Sequence, residues 1–212
     1  MRLYLSSFKL GKRPDRLVSL IGSGKTVAVI MNALDNFPDD RARWLAAQVD
    51  ALAGLGLAAT ELDLRHYFDQ PSEVGGALRH VDGVWINGGN AFLLRSAMQH
   101  SGFDAAIRTL LASDTIVYAG FSAAVCCAGP TLRGVELLDD PGAVGATYGT
   151  EVIWDGLALV DRNIIVHHKS AHRDSPGADK QVQYCRDHGI AYTPIRDGEA
   201  FVVDGETTEI VG

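Results

Sequence analysis

Apolar residues recur along this chain in two alternating patterns, short β-branched runs and longer stretches with helical spacing. Continuous runs such as Thr26–Leu34 are typical of parallel strands that are buried on both faces. After Asp39 and Asp40, by contrast, apolar residues return every three or four positions, which indicates an amphipathic helix with an acidic first turn. Strands that alternate with helices predict an α/β fold, a doubly wound and mostly parallel sheet with helices on both faces.

This pattern predicts the bounds of each element. The predicted strands are 1–7, 26–34, 58–64, 81–87, 115–121, 156–160, 163–168, 191–196, 200–203 and 207–211. The predicted helices are 14–21, 39–55, the stretch from 90 that contains Leu93, Leu94 and Met98, 103–111 and 178–188. Asp204-Gly205 is a hairpin signal, so the last two strands are expected to form a C-terminal β-hairpin. No linker or repeat interrupts the series, and we expect one domain over residues 1–212.

Charge and composition narrow the function classes. The formal charge is -7 at pH 7, which disfavours nucleic acid or an anionic membrane as a partner and favours a small soluble substrate. No run approaches the roughly 20 apolar residues of a membrane helix, and the first residues lack a signal-peptide pattern. The three cysteines include the adjacent Cys126 and Cys127, so we expect no disulfide framework and a cytoplasmic location.

Ligands of such sheets collect where parallel strands end, and two of these places carry small residues suited to acyl chemistry. Gly88-Gly89-Asn90 follows one strand and opens a helix, so its backbone N–H groups can face an oxyanion. Gly120-Phe121-Ser122-Ala123-Ala124 approaches the Gly-x-Ser-x-Gly nucleophile elbow, with alanine in the last position. In such an elbow Ser122 is presented by a sharp turn between strand and helix, and the N–H of Ala123 joins the oxyanion hole.

A serine nucleophile needs a base, and the base needs an orienting carboxylate. His168 and Asp197 each end a later strand and are candidates for these roles. The order serine, histidine, acid differs from the serine, acid, histidine order of α/β-hydrolases, which indicates a serine site on a different doubly wound scaffold. His167, His168 and His172 are clustered, but no HExxH or CxxC spacing completes a metal site, so neither metal nor cofactor is expected.

The sequence resembles the peptidase E (aspartyl dipeptidase) and cyanophycinase group of serine peptidases. The resemblance runs over nearly the whole chain and rests on six segments, which are 86–92, 118–123, 129–133, 138–141, 154–161 and 196–200. It implies a class I glutamine amidotransferase-like fold and hydrolysis of short peptides, foremost dipeptides with an N-terminal Asp, through an acyl-enzyme intermediate. Short peptides are then the expected partner, and the chain is a candidate for a homodimer.

The resemblance also implies roles for individual residues. Ser122 is similar to the family nucleophile and His168 to its base, while Asp197 stands where relatives carry Asp or Glu. Gly89 and Ala123 correspond to the oxyanion donors. The alternatives His167 for the base, and Asp139 or Asp140 for the acid, stay open.

Substrate contacts are predicted more loosely. We expect Asn90 and Arg173 to contact the substrate, Arg173 because an arginine pairs with a carboxylate in a specific geometry. Ala124 departs from the family's usual glycine, and valine precedes the histidine pair where the family usually has proline. A related carboxypeptidase or acyl hydrolase, or a non-catalytic protein that binds a small acidic molecule, therefore remain alternative functions.

Overall fold

A seven-stranded sheet forms the centre of the protein, and the computed structural model describes residues 1–212. The strands of the chain are β1 (Arg2–Ser6), β2 (Thr26–Ile30), β3 (Ala58–Glu61), β4 (Gly83–Ile86), β5 (Val117–Phe121), β6 (Asn163–Ile165), β7 (Tyr192–Pro194), β8 (Ala200–Asp204) and β9 (Thr207–Val211). The order in the large sheet is β3-β2-β4-β5-β1-β8-β9, and β6 and β7 pair separately. The five strands from β3 to β1 are parallel, whereas β8 and β9 join antiparallel.

Helices cover both faces of this sheet. They are α1 (Pro14–Ile21), α2 (Pro38–Ala53), α3 (Val74–Leu78), α4 (Ala91–His100), α5 (Phe103–Ala112), α6 (Ala123–Ala128), α7 (Gly142–Tyr148) and α8 (Ser175–Asp187). Short 3-10 turns lie at Asn32–Leu34, Leu64–Tyr67 and Val135–Leu137. No helix has both the length and the apolar character that crossing a membrane requires.

The sheet separates two hydrophobic clusters, because alternate side chains of a strand point to opposite faces. On β4, Val84 and Ile86 belong to a cluster of 37 buried residues, while Trp85 belongs to one of 16 on the other face. Burial on both faces explains why the central strands read as continuous apolar runs. The predicted doubly wound α/β fold and its C-terminal hairpin are therefore confirmed.

One predicted strand is wrong. Residues 156–160 form no strand, and only Asp155 makes an isolated bridge, to Thr131. The backbone N–H groups of Leu157 and Leu159 instead donate to the carbonyls of Cys127 and Ala128. These carbonyls end α6 and have no partner within the helix, so the segment satisfies a helix terminus rather than a sheet edge.

Two further strands are shorter than predicted, and this shapes the site. The segments 163–168 and 191–196 pair only over β6 and β7, which form a two-stranded parallel sheet beside the large one. The chain leaves β6 after Ile165 and enters a turn in which His167 and Lys169 have φ angles of +60° and +49°. The strict alternation of a strand therefore does not extend to the histidine pair. Helices α3 and α7 were not predicted either.

A buried ionic network fixes the loop that follows β2. Asn32 donates to Asp63 at 3.0 Å and accepts from the backbone N–H of Leu64 at 3.1 Å. Arg41 and Arg65 approach the same Asp63 carboxylate at 3.0 and 2.6 Å. Burial opposes the charged carboxylate, but the hydrogen bonds from Arg65 and Asn32 outweigh it and hold the pKa of Asp63 well below its ordinary value.

We expect Asp63→Asn to lower the free energy of unfolding at pH 7 by about 1–3 kcal/mol, because the paired arginines lose their buried partner. A depressed folded-state pKa stabilises the fold above the unfolded value of about 3.9, so the deficit should shrink as the pH falls below about 4. Urea unfolding of both proteins at pH 7 and below about pH 4 measures this difference in unfolding free energy. Asp161→Asn, which removes an exposed partner of Arg162, is the control without measurable effect. Equal stability of Asp63→Asn and wild type at pH 7 would contradict the prediction.

Candidate active site

A cleft of about 740 Å³ lies at the carboxyl ends of β1, β2, β4 and β5. Its walls include Phe8 after β1, Ala33 after β2, Gly88 after β4 and Ser122 after β5. His167 reaches the same cleft from the turn after β6. The edge of the sheet at which the sequence predicts a ligand site is therefore the edge that carries the cleft.

Ser122 occupies a strained turn between β5 and α6. Its φ and ψ angles are +52° and -107°, a conformation that residues with a side chain rarely adopt. The Ser122 N–H donates to the Ser6 carbonyl at 3.3 Å, and its carbonyl accepts from Val125 and Cys126 in the first turn of α6. The turn thus has the strand-to-helix geometry of a nucleophile elbow.

The alanine at position 124 fits this elbow because of the glycine that precedes the serine. A Cβ on Gly120 would lie 2.6 Å from the Ala124 methyl group and 2.5 Å from the Ile86 carbonyl oxygen, both closer than atoms can pack. The Ala124 carbonyl also accepts a 2.8 Å hydrogen bond from Tyr118. In the Gly-x-Ser-x-Gly motif both outer positions lack a side chain. Here the Ala124 methyl group fills the space beside Gly120, and the turn keeps its shape.

His167 contacts Ser122 and Asp197 at once. Its Nε2 lies 3.1 Å from Ser122 Oγ, and its Nδ1 lies 2.7 Å from Asp197 Oδ1. An ionised carboxylate only accepts, so Nδ1 carries the proton and Nε2 is free to accept from the serine hydroxyl. The three side chains form a line of nucleophile, base and carboxylate.

The structure places His167, and not the predicted His168, beside Ser122. His168 points toward α8, where its Nε2 lies 3.5 Å from Asp179 Oδ1, and its N–H donates to the Ile195 carbonyl. The prediction relied on strand alternation, but β6 ends two residues before His167 and the left-handed turn rotates the pair. The position predicted for Asp197 agrees with the structure, because Asp197 lies against the histidine next to Ser122.

Electrostatics suit His167 to accept a proton at neutral pH. Burial lowers the pKa of His167 below its ordinary value, and the hydrogen bond with Asp197 opposes that shift. The ring is therefore neutral at pH 7, while the adjacent carboxylate can stabilise the imidazolium that forms when the ring accepts a proton.

A buried serine that the sequence analysis did not select braces this line. Ser7 is fully buried after β1, donates to Asp197 Oδ1 at 2.8 Å and accepts from the backbone N–H of His167 at 2.8 Å. Ser170 Oγ accepts from the Asp197 N–H at 2.8 Å. One signal was available, because Ser7 is the last residue of the predicted strand 1–7, and the other candidates were sought at strand ends.

Of the two predicted oxyanion donors, Gly89 lines the cleft, and Ala123 directly follows Ser122 as a buried residue. The N–H groups of Gly88 and Gly89 make no hydrogen bond within the chain, and Ala123 is the first residue of α6, where an N–H has no helical partner. Gly88 packs directly on Ser122, since a Cβ there would lie 3.0 Å from the Ser122 Cβ atom. The role predicted for Gly89 and Ala123 thus stays a prediction, with Gly88 as a neighbouring donor.

The alternative acids lie elsewhere in the cleft. Asp139 Oδ2 accepts from the N–H of Ala91 at 2.8 Å, and Asp140 Oδ1 accepts from Gly142 at 2.8 Å. Neither carboxylate hydrogen-bonds to a histidine. Asn90 caps α4 through Phe92 and Leu93 and donates its amide to the Asp140 carbonyl, so its side chain is already engaged.

Arg173 and His172 stand at the mouth of the cleft. The Arg173 side chain is 90% exposed and lies 3.5 Å from Asp174. His172 stacks on His167 with ring centroids 3.8 Å apart and planes 9° apart. His167, His172 and Asp174 each offer one possible metal-ligand atom, and these three atoms lie within 4.8 Å of one another. Both nitrogens of His167, however, already face Ser122 and Asp197. A metal ion would have to displace one of these contacts.

The model of peptidase family S51 matches residues 12–211 of the chain. An uncharacterized peptidase of Listeria monocytogenes is 29% identical over 148 residues, which cover 69% of this chain and 67% of that protein. An uncharacterized peptidase of Listeria innocua is 27% identical over 183 residues, covering 86% and 82%. The Drosophila melanogaster protein named "probable alpha-aspartyl dipeptidase" is 26% identical over 194 residues, covering 89% and 73%.

Solved structures share the fold. The crystal structure of a Listeria monocytogenes protein assigned to peptidase E superposes with a TM-score of 0.80 at 24% identity, covering 99% of this chain and 97% of that one. A peptidase from an acI-B1 Actinobacterium superposes with a TM-score of 0.69 at 16% identity, covering 100% and 87%.

We expect Ser7→Ala to slow the reaction of Ser122 with a fluorophosphonate probe about 10-fold, because Asp197 loses a donor and the His167 N–H loses its acceptor. Without that donor the carboxylate holds the imidazole proton more tightly, so the acid side of the rate profile should move to higher pH. Ser6→Ala removes a buried hydroxyl of the same strand that contacts neither residue and serves as the control. An unchanged rate and profile in Ser7→Ala would refute the bracing role.

Proposed function

The chain belongs to peptidase family S51, the peptidase E family, and from that premise we propose that it is a serine peptidase with Ser122, His167 and Asp197 as its triad. The proposed substrates are short peptides, foremost dipeptides with an N-terminal Asp. The observation that supports the triad best is the unbroken line from Ser122 Oγ through His167 to Asp197, with distances of 3.1 and 2.7 Å.

The proposed reaction has two halves. Ser122 Oγ attacks the peptide carbonyl carbon while its proton passes to His167 Nε2, and Asp197 stabilises the imidazolium. His167 then gives this proton to the departing nitrogen, the C–N bond breaks, and an acyl ester on Ser122 remains. Water attacks that ester as His167 accepts its proton, and return of the proton to Ser122 Oγ releases the free acid.

The developing oxyanion needs donors that are already in place. We assign this role to the N–H groups of Gly89 and Ala123, with Gly88 as the neighbouring donor. Their support is that Gly88 packs on Ser122, that Ala123 follows Ser122 directly, and that none of the three N–H groups donates a hydrogen bond within the chain. Donors that are already in place need no rearrangement when negative charge develops on the substrate oxygen. Glycines suit positions 88 and 89 because no side chain there blocks the approach of the substrate.

The preference for an N-terminal Asp rests on less. The relative named as a probable alpha-aspartyl dipeptidase supports it, and so does Arg173, a cleft cation whose nearest carboxylate is 3.5 Å away. Arg43 also lines the cleft, but it already pairs with Asp40 at 2.5 Å. Arg173 is therefore the cation that we propose for the substrate side-chain carboxylate.

A second specificity has its own observation. Phe8, Phe37, Trp44 and Phe121 form an aromatic part of the cleft wall, and Phe37 is 56% exposed. Aromatic walls favour apolar side chains. The same triad acting on peptides with an apolar residue is thus the alternative to Asp specificity.

We expect a fluorophosphonate probe to label the folded protein at Ser122, and His167→Ala to slow labelling by at least 100-fold through loss of the base. His168→Ala is the matched control, because this neighbour faces Asp179 and should leave labelling within about two-fold of wild type. Mass spectrometry of the labelled peptide locates the adduct. If His168→Ala slows labelling and His167→Ala does not, the assignment of the base is wrong. A wild-type protein that takes no label contradicts the proposed serine peptidase.

Hydrolysis of dipeptides separates the two specificities. We expect kcat/KM for Asp-Leu to exceed that for Leu-Leu by at least 10-fold, and Arg173→Gln to reduce this ratio, because the neutral side chain cannot pair with the substrate carboxylate. Lys180→Gln, which removes a cation outside the cleft, should leave the ratio unchanged. A wild-type preference for Leu-Leu would instead support the aromatic wall as the determinant.

A further inference from the structure

Two carboxylates of the cleft, Asp139 and Asp140, lack a cation partner within the chain. The cleft contains Asp40, Asp139, Asp140 and Asp174. Asp40 pairs with Arg43 at 2.5 Å, and Asp174 lies 3.5 Å from both His172 and Arg173. Asp140 is exposed and caps the turn at Gly142. Asp139 is half-buried, in contrast to the exposed Asp140, and likewise forms no ion pair within the chain.

The position of Asp139 leaves half of its carboxylate available. Oδ2 accepts from the N–H of Ala91, the first residue of α4, at 2.8 Å. Oδ1 makes no hydrogen bond within the chain and is not sealed off from the cleft. A carboxylate fixed by one oxygen and open at the other is arranged to accept hydrogen bonds from a ligand.

A second unmatched acceptor lies in the same cleft wall. Asn87 is only 2% exposed, and its Nδ2 donates to the Gly88 carbonyl at 2.7 Å. Its Oδ1 is buried without any partner. Buried acceptors are nearly always satisfied, so an orphan in a cleft points to a ligand that brings donors. The unmatched groups of the wall thus accept hydrogen bonds, and one of them is a carboxylate.

We infer that Asp139 binds the positively charged α-amino group of the peptide substrate. The inference rests on the proposed function of Ser122, and it names the substrate feature that the same site selects. An ammonium group carries three N–H donors and a positive charge, which matches an open carboxylate oxygen better than a neutral peptide does.

The spacing along the chain is compatible with this role. Gly88 packs on Ser122, and Ala91 three residues later donates to Asp139. Three residues of chain span at most about 10 Å. In a substrate whose first residue supplies the attacked carbonyl, the α-nitrogen is separated from the carbonyl carbon by a single atom. The nucleophile and the ammonium site must therefore lie in one cleft, and Ser122 and Asp139 line the same one.

The state of Asp139 depends on whether a cation is present. Burial raises the pKa of Asp139 to about 7, and nearby Asp174 adds to the shift, whereas the Ala91 N–H and Arg173 oppose it. The Cys126 thiol also packs close enough to sense its charge. Because only the ionised carboxylate pairs with an ammonium, affinity should rise with pH through about 7. It should fall again as the peptide amine loses its proton near pH 7.7–8.0.

The test compares a dipeptide with its N-acetylated form. Wild type should prefer the free amine in kcat/KM by about 10- to 100-fold, the range expected for one charge-assisted hydrogen bond. Asp139→Asn keeps an oxygen for the Ala91 N–H but removes the charge, and it should abolish most of this preference by lowering kcat/KM for the free dipeptide alone. The acid limb near pH 7 should disappear with it.

Controls separate this inference from the proposed function. Asp40→Asn neutralises a cleft carboxylate that already has a cation and should keep the preference for the free amine. Fluorophosphonate labelling of Asp139→Asn at the wild-type rate shows that the variant is folded and its nucleophile intact. An Asp139→Asn variant that is labelled normally and retains the preference overturns the inference while the triad stands. Absence of labelling in wild type overturns the triad itself.

Discussion

The cleft depends first on the strained backbone at Ser122. A left-handed φ at a residue with a side chain costs of order 1–3 kcal/mol, and it persists only where the surroundings enforce it. Here β5 is held between two parallel neighbours, α6 begins at the next residue, and Gly120 leaves room for the Ala124 methyl group. The packing of the buried sheet thus holds the strained turn that presents the Ser122 hydroxyl group to the cleft.

The groups around that hydroxyl suit the proton transfer that we propose, without a permanent cation at His167. His167 is neutral because it is buried, yet the hydrogen-bonded carboxylate of Asp197 makes its protonated form accessible. Ser7 and Ser170 each bind Asp197 by a different group, the first at the carboxylate and the second at the backbone N–H. The His167 ring is oriented by Asp197, and Asp197 is itself held in place by its hydrogen bonds with Ser7 and Ser170.

Sequence patterns predicted the α/β fold, most of its strands and longer helices, the C-terminal hairpin, and the positions of Ser122 and Asp197 at strand ends. These features follow from local signals, such as apolar runs and residues that end strands. The choice between His167 and His168 could not be made in the same way, because it depends on where β6 stops and on a left-handed turn that no local signal marks. The segment 156–160 has the composition of a strand, but its backbone N–H groups donate to the free carbonyls at the end of α6 instead of to a neighbouring strand. Ser7 lies at a strand end, but its partners are 160 and 190 residues away, and no local pattern identifies them.

The brace between Ser7 and Asp197 joins residues 190 positions apart, and this separation has a consequence for synthesis of the protein. The elbow can form once β5 and α6 have left the ribosome, because its contacts lie within the first part of the chain. His167 and Asp197 arrive only with β6 and β7, and long-range contacts of this kind form late in folding. In a growing chain Ser122 therefore lacks its contact with His167 until almost all of the chain has been made. The line of three side chains is completed in one late step, when Ser7 near the beginning of the chain contacts Asp197 near its end.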